Sequence, residues 1–329
     1  MGRDSELSPN LAEGQYAGPA LVWLTGMTRV RLTRELTADG FSPTELAALR
    51  RAGTLHRVRR GAYANPPDLP ADPVDRHRML LEATLQQTSA DAVVSHMSAA
   101  VLHGLPTWSN ELGRVHLTRA RNGGGKVRRY THLHTSALPR EDVVEVGGHP
   151  VTSLARTVVD PSRSLSMARS VPIGDAAMRL GLTRDDVFAV AAHCIGWSGI
   201  TRARRAIDFL DARSESVGES SSRVVLHEIG VPTPQPQLEV FDAGRLAGRA
   251  DFGWEEYRTL GEFDGRVKYG RLLKPGQTIT DVVFEEKRRE DALRNLGWEV
   301  VRWLWEDLKD PRPLQERLER AFVRGRRAA

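Results

Sequence analysis

From Val30 onward the chain settles into regular alternations of apolar and polar positions, after a start punctuated by Gly, Ser and Pro that holds no sustained period. Residues 1–28 are therefore expected to form a flexible arm. The first periodic run is TELAALRRAG, where Leu46, Leu49 and Ala52 recur at helical spacing, Ser42 and Pro43 stand as cap and first residue, and Gly53 stops the helix. TLHRVRRGAYA follows, setting Leu55, Val58 and Tyr63 among Arg57, Arg59 and Arg60, which predicts a short basic hairpin. Helix then basic hairpin is the logic of a winged helix, so 29–65 is expected to bind DNA. Thr44, Arg50 and Arg51 would approach the groove, and Arg57, Arg59 and Arg60 the phosphates.

PPDLPADP, residues 66–73, reads as a proline-dense linker. Beyond it, 74–160 predicts an α+β middle domain, with helices in DRHRMLLEATLQQ and SHMSAAVLHGL and strands in RVHLTRA, YTHLHTSAL and DVVEV. Asn122 to Gly125 with Lys126 reads as the glycine-rich turn of a hairpin; it lacks the following helix and the spacing of a phosphate-binding loop. His96 and His103 share a helix face and His132 and His134 a strand face. No acid or cysteine stands at ligand spacing, so they are expected to be core or capping histidines and no metal is assigned. Residues 161–213 predict a helical connector through IGDAAMRLG, TRDDVFAVAAH and ITRARRAIDFLDA.

The last module, 214–325, opens with Ser216 as cap for a helix over Glu219 to Glu228 that Gly230 ends. LEVFDAG, RLAGRADFGW and RTLGEF predict an antiparallel meander, followed by a helix, the strand WEVVRWLW and a closing helix. The chain is thus expected to be a multidomain α/β protein. Trp298, Trp303 and Trp305 are expected mostly in its core.

Composition narrows the function classes. At 329 residues the chain exceeds one typical domain, and 47 basic against 42 acidic side chains give a net charge of +5, mostly as arginine. DNA is the leading partner class. The single cysteine, Cys194, excludes an internal disulfide and a cysteine-based zinc site. The apolar run from Ala20 to Leu24 is too short for a signal peptide or a membrane span, which points to the cytoplasm. Nothing in the sequence sets the oligomeric state.

Chemistry concentrates in RADFGWEEYRTLGEFDGRVKYG, Arg249 to Gly270. A turn centred on Glu256 and Tyr257 pairs Asp251 with Glu262, and alternation puts Asp264 on the same face, with Ala250, Phe252, Trp254 and Phe263 on the reverse. Asp251, Glu262 and Asp264 would hold Mg2+ or Mn2+, Lys268 would supply a cation once Gly265 turns the chain back, and Glu219 would complete the acidic cluster. Arg288, Arg289 and Arg302 would meet phosphates or orient the acids. The competing expectation is a set of surface charges paired with Lys268 and Arg249.

Glu219 in ESSSRVVLHEIG, Asp251 in GRADFGW, GEFDGRVKYG and REDALRNLGWEVVRWLWEDL resemble the very-short-patch-repair (Vsr)-like branch of the PD-(D/E)XK nucleases. The resemblance spans about 214–325 and implies a restriction-endonuclease-like core and magnesium-dependent DNA endonuclease activity at Asp251 and Glu262. Asp264 stands where that motif places its lysine, so the lysine's role would pass to Lys268. ELAALRRAGTLHRVRRGAYA resembles the winged helix of AbiEi-type antitoxins, and SHMSAAVLHGLP with GHPVTSLARTVVD resembles the domain that accompanies it. That family implies operator binding and neutralisation of a nucleotidyltransferase toxin in phage defence. Two functions follow as expectations: a DNA endonuclease in phage defence or repair, or a non-catalytic antitoxin or regulator.

Overall fold

The chain opens with β1 (Arg31–Leu32), α1 (Thr33–Ala38), α2 (Pro43–Arg51), β2 (His56–Arg59) and β3 (Ala62–Ala64), and β3 lies between β1 and β2 in a three-stranded sheet. Local chemistry sets the start of α2. Ser42 Oγ accepts from the Glu45 amide at 3.2 Å, and the Glu45 carboxylate accepts from the Ser42 amide at 2.8 Å. Gly53 ends that turn at φ +74°, a conformation that favours glycine. In this computed structural model, residues 30–89, 91–121, 123–265 and 279–328 are described.

The proline run does not isolate this segment. Asp72 caps α3 (Pro73–Leu85), accepting from the Val74 amide at 2.7 Å, and Met79 and Ala83, one turn apart, complete the cluster of Val30, Leu32, Ala62 and Ala64. Leu80 and Leu81 instead join Val94, Val115, Leu117 and Val151. One helix therefore serves two apolar clusters, which short segments of sequence do not reveal.

Next come β4 (Val93–Val94), α4 (His96–Leu102), β5 (Val115–Ala120), β6 (Lys126–Val127), β7 (Thr131–Ser136), β8 (Val143–Val146), β9 (His149–Thr152) and α5 (Leu154–Ser162). The sheet order is β6-β7-β5-β4-β9-β8. β5 and β7 run parallel, contrary to the expected hairpin, because the chain reverses after β6: Arg128 N donates to Thr131 O at 2.8 Å, and β6 pairs antiparallel with β7. On α5, Arg156 is buried and bridges Asp142 and Asp160 at 2.9 Å each.

The expected connector proves to be shared. Contacts divide the chain into Met1–Ser166 with Leu180–Asp208, and Met167–Arg179 with Phe209–Ala329. Thus α6 (Met167–Arg179) belongs to the second unit, while α7 (Arg184–His193) and α8 (Ile200–Asp208) pack with α5 in the first. Cys194 is buried there as a free thiol. No helix among the described residues is long and apolar enough to cross a membrane.

In the second unit, α9 (Val217–Glu228) is capped by Ser216, whose Oγ accepts from the Glu219 amide at 3.1 Å. α6 lies against α9 through Asp175 and Arg223, 2.9 Å apart. Then follow β10 (Gln235–Asp242), β11 (Arg245–Trp254), β12 (Thr259–Phe263), α10 (Ile279–Asn295), β13 (Glu299–Trp303), α11 (Trp305–Lys309) and α12 (Arg312–Ala328), with β10-β11-β12-β13 as one sheet. The meander is antiparallel and β13 joins parallel to β12 through α10. Phe252, Trp254 and Trp303 pack with Leu314, Leu318 and Phe322 of α12, while Leu238, Ala250 and Leu260 cluster with Leu293 of α10 and Trp298. Trp305 is half-buried and meets Phe263 edge to face.

Candidate functional site

Glu255–Tyr257 makes the turn between β11 and β12, and Arg258 takes φ +46°. The strands then pair Trp254 with Thr259 and Phe252 with Gly261, so the next step sets Asp251 across from Glu262. On the other side of β12, Glu262 is paired with Arg302 of β13. On the other side of β11, the pairs Pro236 with Phe252 and Leu238 with Ala250 leave Gln237 opposite Asp251. One lateral row therefore crosses the sheet: Gln237, Asp251, Glu262, Arg302. Gln237 holds φ +56°, and its Nε2 donates to Glu219 Oε2 at 2.8 Å, tying α9 to the row.

The row is charged and largely dehydrated. Glu262 is buried and Asp251 half-buried, with Asp251 Oδ2 accepting from the Phe263 amide at 2.8 Å. Burial, then the charge of Glu219, then those of Glu262 and Asp264 push the Asp251 carboxyl up to about 7, against the Phe263 hydrogen bond that lowers it. Burial likewise raises Glu219, although the Glu215 amide, Ser216 and Gln237 hydrogen-bond its charged form. Arg289 NH2 lies 2.6 Å from Glu262 Oε1 and Arg302 NH2 lies 2.8 Å from Glu262 Oε2; Arg302 also reaches Glu290 at 3.2 Å and Asp264 at 3.6 Å. Both Glu262 oxygens are thus held by guanidinium groups. The face opposite carries a close approach: a Cβ on Gly218 of α9 would overlap the Phe263 ring, so only glycine lets that helix sit here.

Of the expected acidic residues, Asp251, Glu262, Asp264 and Glu219 are brought into one electrostatic neighbourhood. They do not form the expected three-carboxylate ligand set, because the cross-strand spacing and the two arginines keep Asp251, Glu262 and Asp264 from converging: among the described residues, the group of three whose donor atoms all lie within 4.8 Å is His96, His116 and His134. Lys268 lies outside the described residues. Arg302 lies on the strand adjacent to Glu262, with its guanidinium group against that carboxylate. Arg249 pairs with Glu215 at 2.9 Å rather than with the cluster. Arg288 is exposed.

At the N-terminal segment Thr44 is exposed in the first turn of α2, Arg50 and Arg51 are exposed in its last turn, and Arg57 and Arg60 are exposed on the hairpin. Arg59 is only half-exposed, and its Nε and NH1 are shielded without a hydrogen-bond partner. Burial and then nearby Arg128 lower its proton affinity.

Sequence patterning set aside the histidines that the fold assembles. His116 pairs across β5 and β7 with His132, and Thr118 with His134, so the parallel pairing of two strands gathers rings from separate segments. His96 at the start of α4 stacks on His134 with ring centroids 3.7 Å apart. The usable signal was HxH in a strand beside another strand carrying a histidine; their parallel pairing was the missing fact.

No family model matches the chain. Two curated relatives of Mycobacterium tuberculosis, uncharacterized protein Rv2248 and uncharacterized protein MT2308, are each 29% identical over 279 residues, covering 84% of this chain and 95% of theirs. A crystal structure of the Rv2827c protein from the same organism aligns over 67% of this chain and 87% of its own at 17% identity, with a TM-score of 0.37, too loose a likeness to carry an argument.

Proposed function

We propose that the chain is a DNA-binding protein whose C-terminal unit is a nuclease-fold module hydrolysing phosphodiester bonds with Mg2+ or Mn2+. The observation that carries this is the setting of Asp251: a half-buried carboxyl whose proton affinity is raised to about 7, by burial first and then by the charges of Glu219, Glu262 and Asp264, is a site that a divalent cation would relieve. Asp251 would give the ion a carboxylate oxygen, with water and substrate phosphate filling the other positions and Glu219 and Asp264 adding negative charge nearby; the bound ion would activate water and neutralise charge on the cleaved phosphate. Arg302 and Arg289 fix Glu262 in the row. Exposed Thr44, Arg50, Arg51, Arg57 and Arg60 on a helix and basic hairpin support DNA contact by a winged helix.

A second reading is an antitoxin or regulator with the same fold and no cleavage, bound to DNA and a nucleotidyltransferase-type toxin. It is favoured by the guanidinium groups occupying both oxygens of Glu262. Incubation of the purified chain with single-stranded, duplex and mismatched DNA in Mg2+ or Mn2+, beside Asp251→Asn, separates them. Cuts that vanish in the variant support the first; salt-dependent binding with every substrate intact supports the second.

A further inference from the structure

The four histidines His96, His116, His132 and His134 belong to the first unit, the acidic row to the second, and they need an explanation that neither proposed function gives. His116 Nδ1 and His134 Nε2 are 3.0 Å apart, and the donor atoms of His96, His116 and His134 all lie within 4.8 Å of one another. Two ligands of a tetrahedral zinc site with bonds of about 2.0–2.1 Å stand about 3.4 Å apart. The observed spacing is already close to that. We propose that His96, His116 and His134 form a binding site for a borderline divalent metal ion of the Zn2+ class, with a fourth position open to water or an anion.

Three features of the surroundings argue for a built site. His96 takes φ +52° at the first residue of α4, a left-handed conformation uncommon outside glycine, and its ring stacks on His134. Its Nδ1 lies 3.0 Å from Ser95 Oγ, which accepts from Thr118 at 2.8 Å, and 3.9 Å from Asp160 Oδ2. Directing the Nδ1 proton to Ser95 Oγ leaves the Nε2 lone pair for an ion, as hydrogen-bonded neighbours orient ligating imidazoles. Asp160 is itself buried, and its Oδ1 has no hydrogen-bond partner; the Arg163 guanidinium is 3.5 Å away. That carboxylate offsets the two guanidinium groups beside the imidazoles, Arg156 at 2.9 Å and Arg163 at 3.5 Å.

The open side is equally specific. His96, His134 and Asp160 line a cavity of about 670 Å³ together with Arg121 and Arg163, so an anionic fourth ligand would meet guanidinium groups. Imidazole ligands select Zn2+, Co2+ or Ni2+ over Mg2+, which prefers oxygen.

Untagged full-length chain, stripped with chelator, should bind one equivalent of Zn2+ in calorimetric titration, and Co2+ should give the visible absorption of a tetrahedral nitrogen site. His116→Gln with His134→Gln should remove that equivalent. His96→Asn, which tolerates the left-handed backbone, should weaken it at least about tenfold with an unchanged circular dichroism spectrum. Asp251→Asn should retain it. Absence of a saturable equivalent in the native chain, or its survival in folded His96→Asn at full affinity, overturns the proposal.

Discussion

Glu262 and Arg302 stand directly across from each other on parallel strands β12 and β13, with Arg302 NH2 2.8 Å from Glu262 Oε2. The pair explains how a buried carboxylate is tolerated in the middle of a sheet. Arg302→Ala leaves Glu262 with Arg289 alone, and the second unit should lose about 1–3 kcal/mol of stability. Urea denaturation followed by tryptophan fluorescence, which reports Trp254 and Trp303 in that core, measures it; an unchanged midpoint would show the pair to be dispensable.

Asp251 should make stability depend on pH. Its folded proton affinity, about 7, stands above the ordinary value of 3.8, so its ionisation opposes folding: its contribution is fully present below pH 3.8 and is lost as pH rises through 7. Asp251→Asn should therefore gain a few kcal/mol over the native chain at pH 8 and almost nothing at pH 3.5. Thermal melts of both proteins across that range read the difference. Millimolar Mg2+ at pH 8 should shrink it by stabilising the native chain alone.

Arg156 is buried with Asp142 and Asp160 on either side at 2.9 Å. Replacing it with methionine keeps the bulk and strands two buried carboxylates, which should destabilise the first unit by about 3–5 kcal/mol. Differential scanning calorimetry should show the loss, and a partial recovery when Asp142→Asn is added.

On the proposed DNA-binding segment, exposed Arg57 and Arg60 should each lower the slope of log affinity against log salt by about 1 when changed to alanine, with little effect on sequence preference. Arg59→Ala should change the slope less, because its guanidinium is half-buried. Fluorescence anisotropy with labelled duplex at several salt concentrations distinguishes the three.

Much of the local structure was legible in the letters. Ser42 with Pro43 and Ser216 before Glu219 start helices because their hydroxyls accept amides that no helix can satisfy by itself. The Glu255–Tyr257 turn determines the register that places Asp251 across from Glu262, since strand pairing propagates residue by residue from a tight turn. What sequence could not settle depends on contacts between distant segments. The packing of Met79 and Ala83 onto the first sheet erased an expected linker, and α6 joined the second unit through Asp175 and Arg223.

The same division holds at the two sites. Sequence alone determined which residues carry charge in the acidic row, because strand alternation and a short turn are local. Only the tertiary structure decided that α10 and β13 would bring Arg289 and Arg302 onto Glu262, and that the parallel pairing of β5 with β7 would gather His116 and His134 under His96. Long-range strand order is set by how whole apolar faces are buried, a sum over the fold that no single window of residues contains.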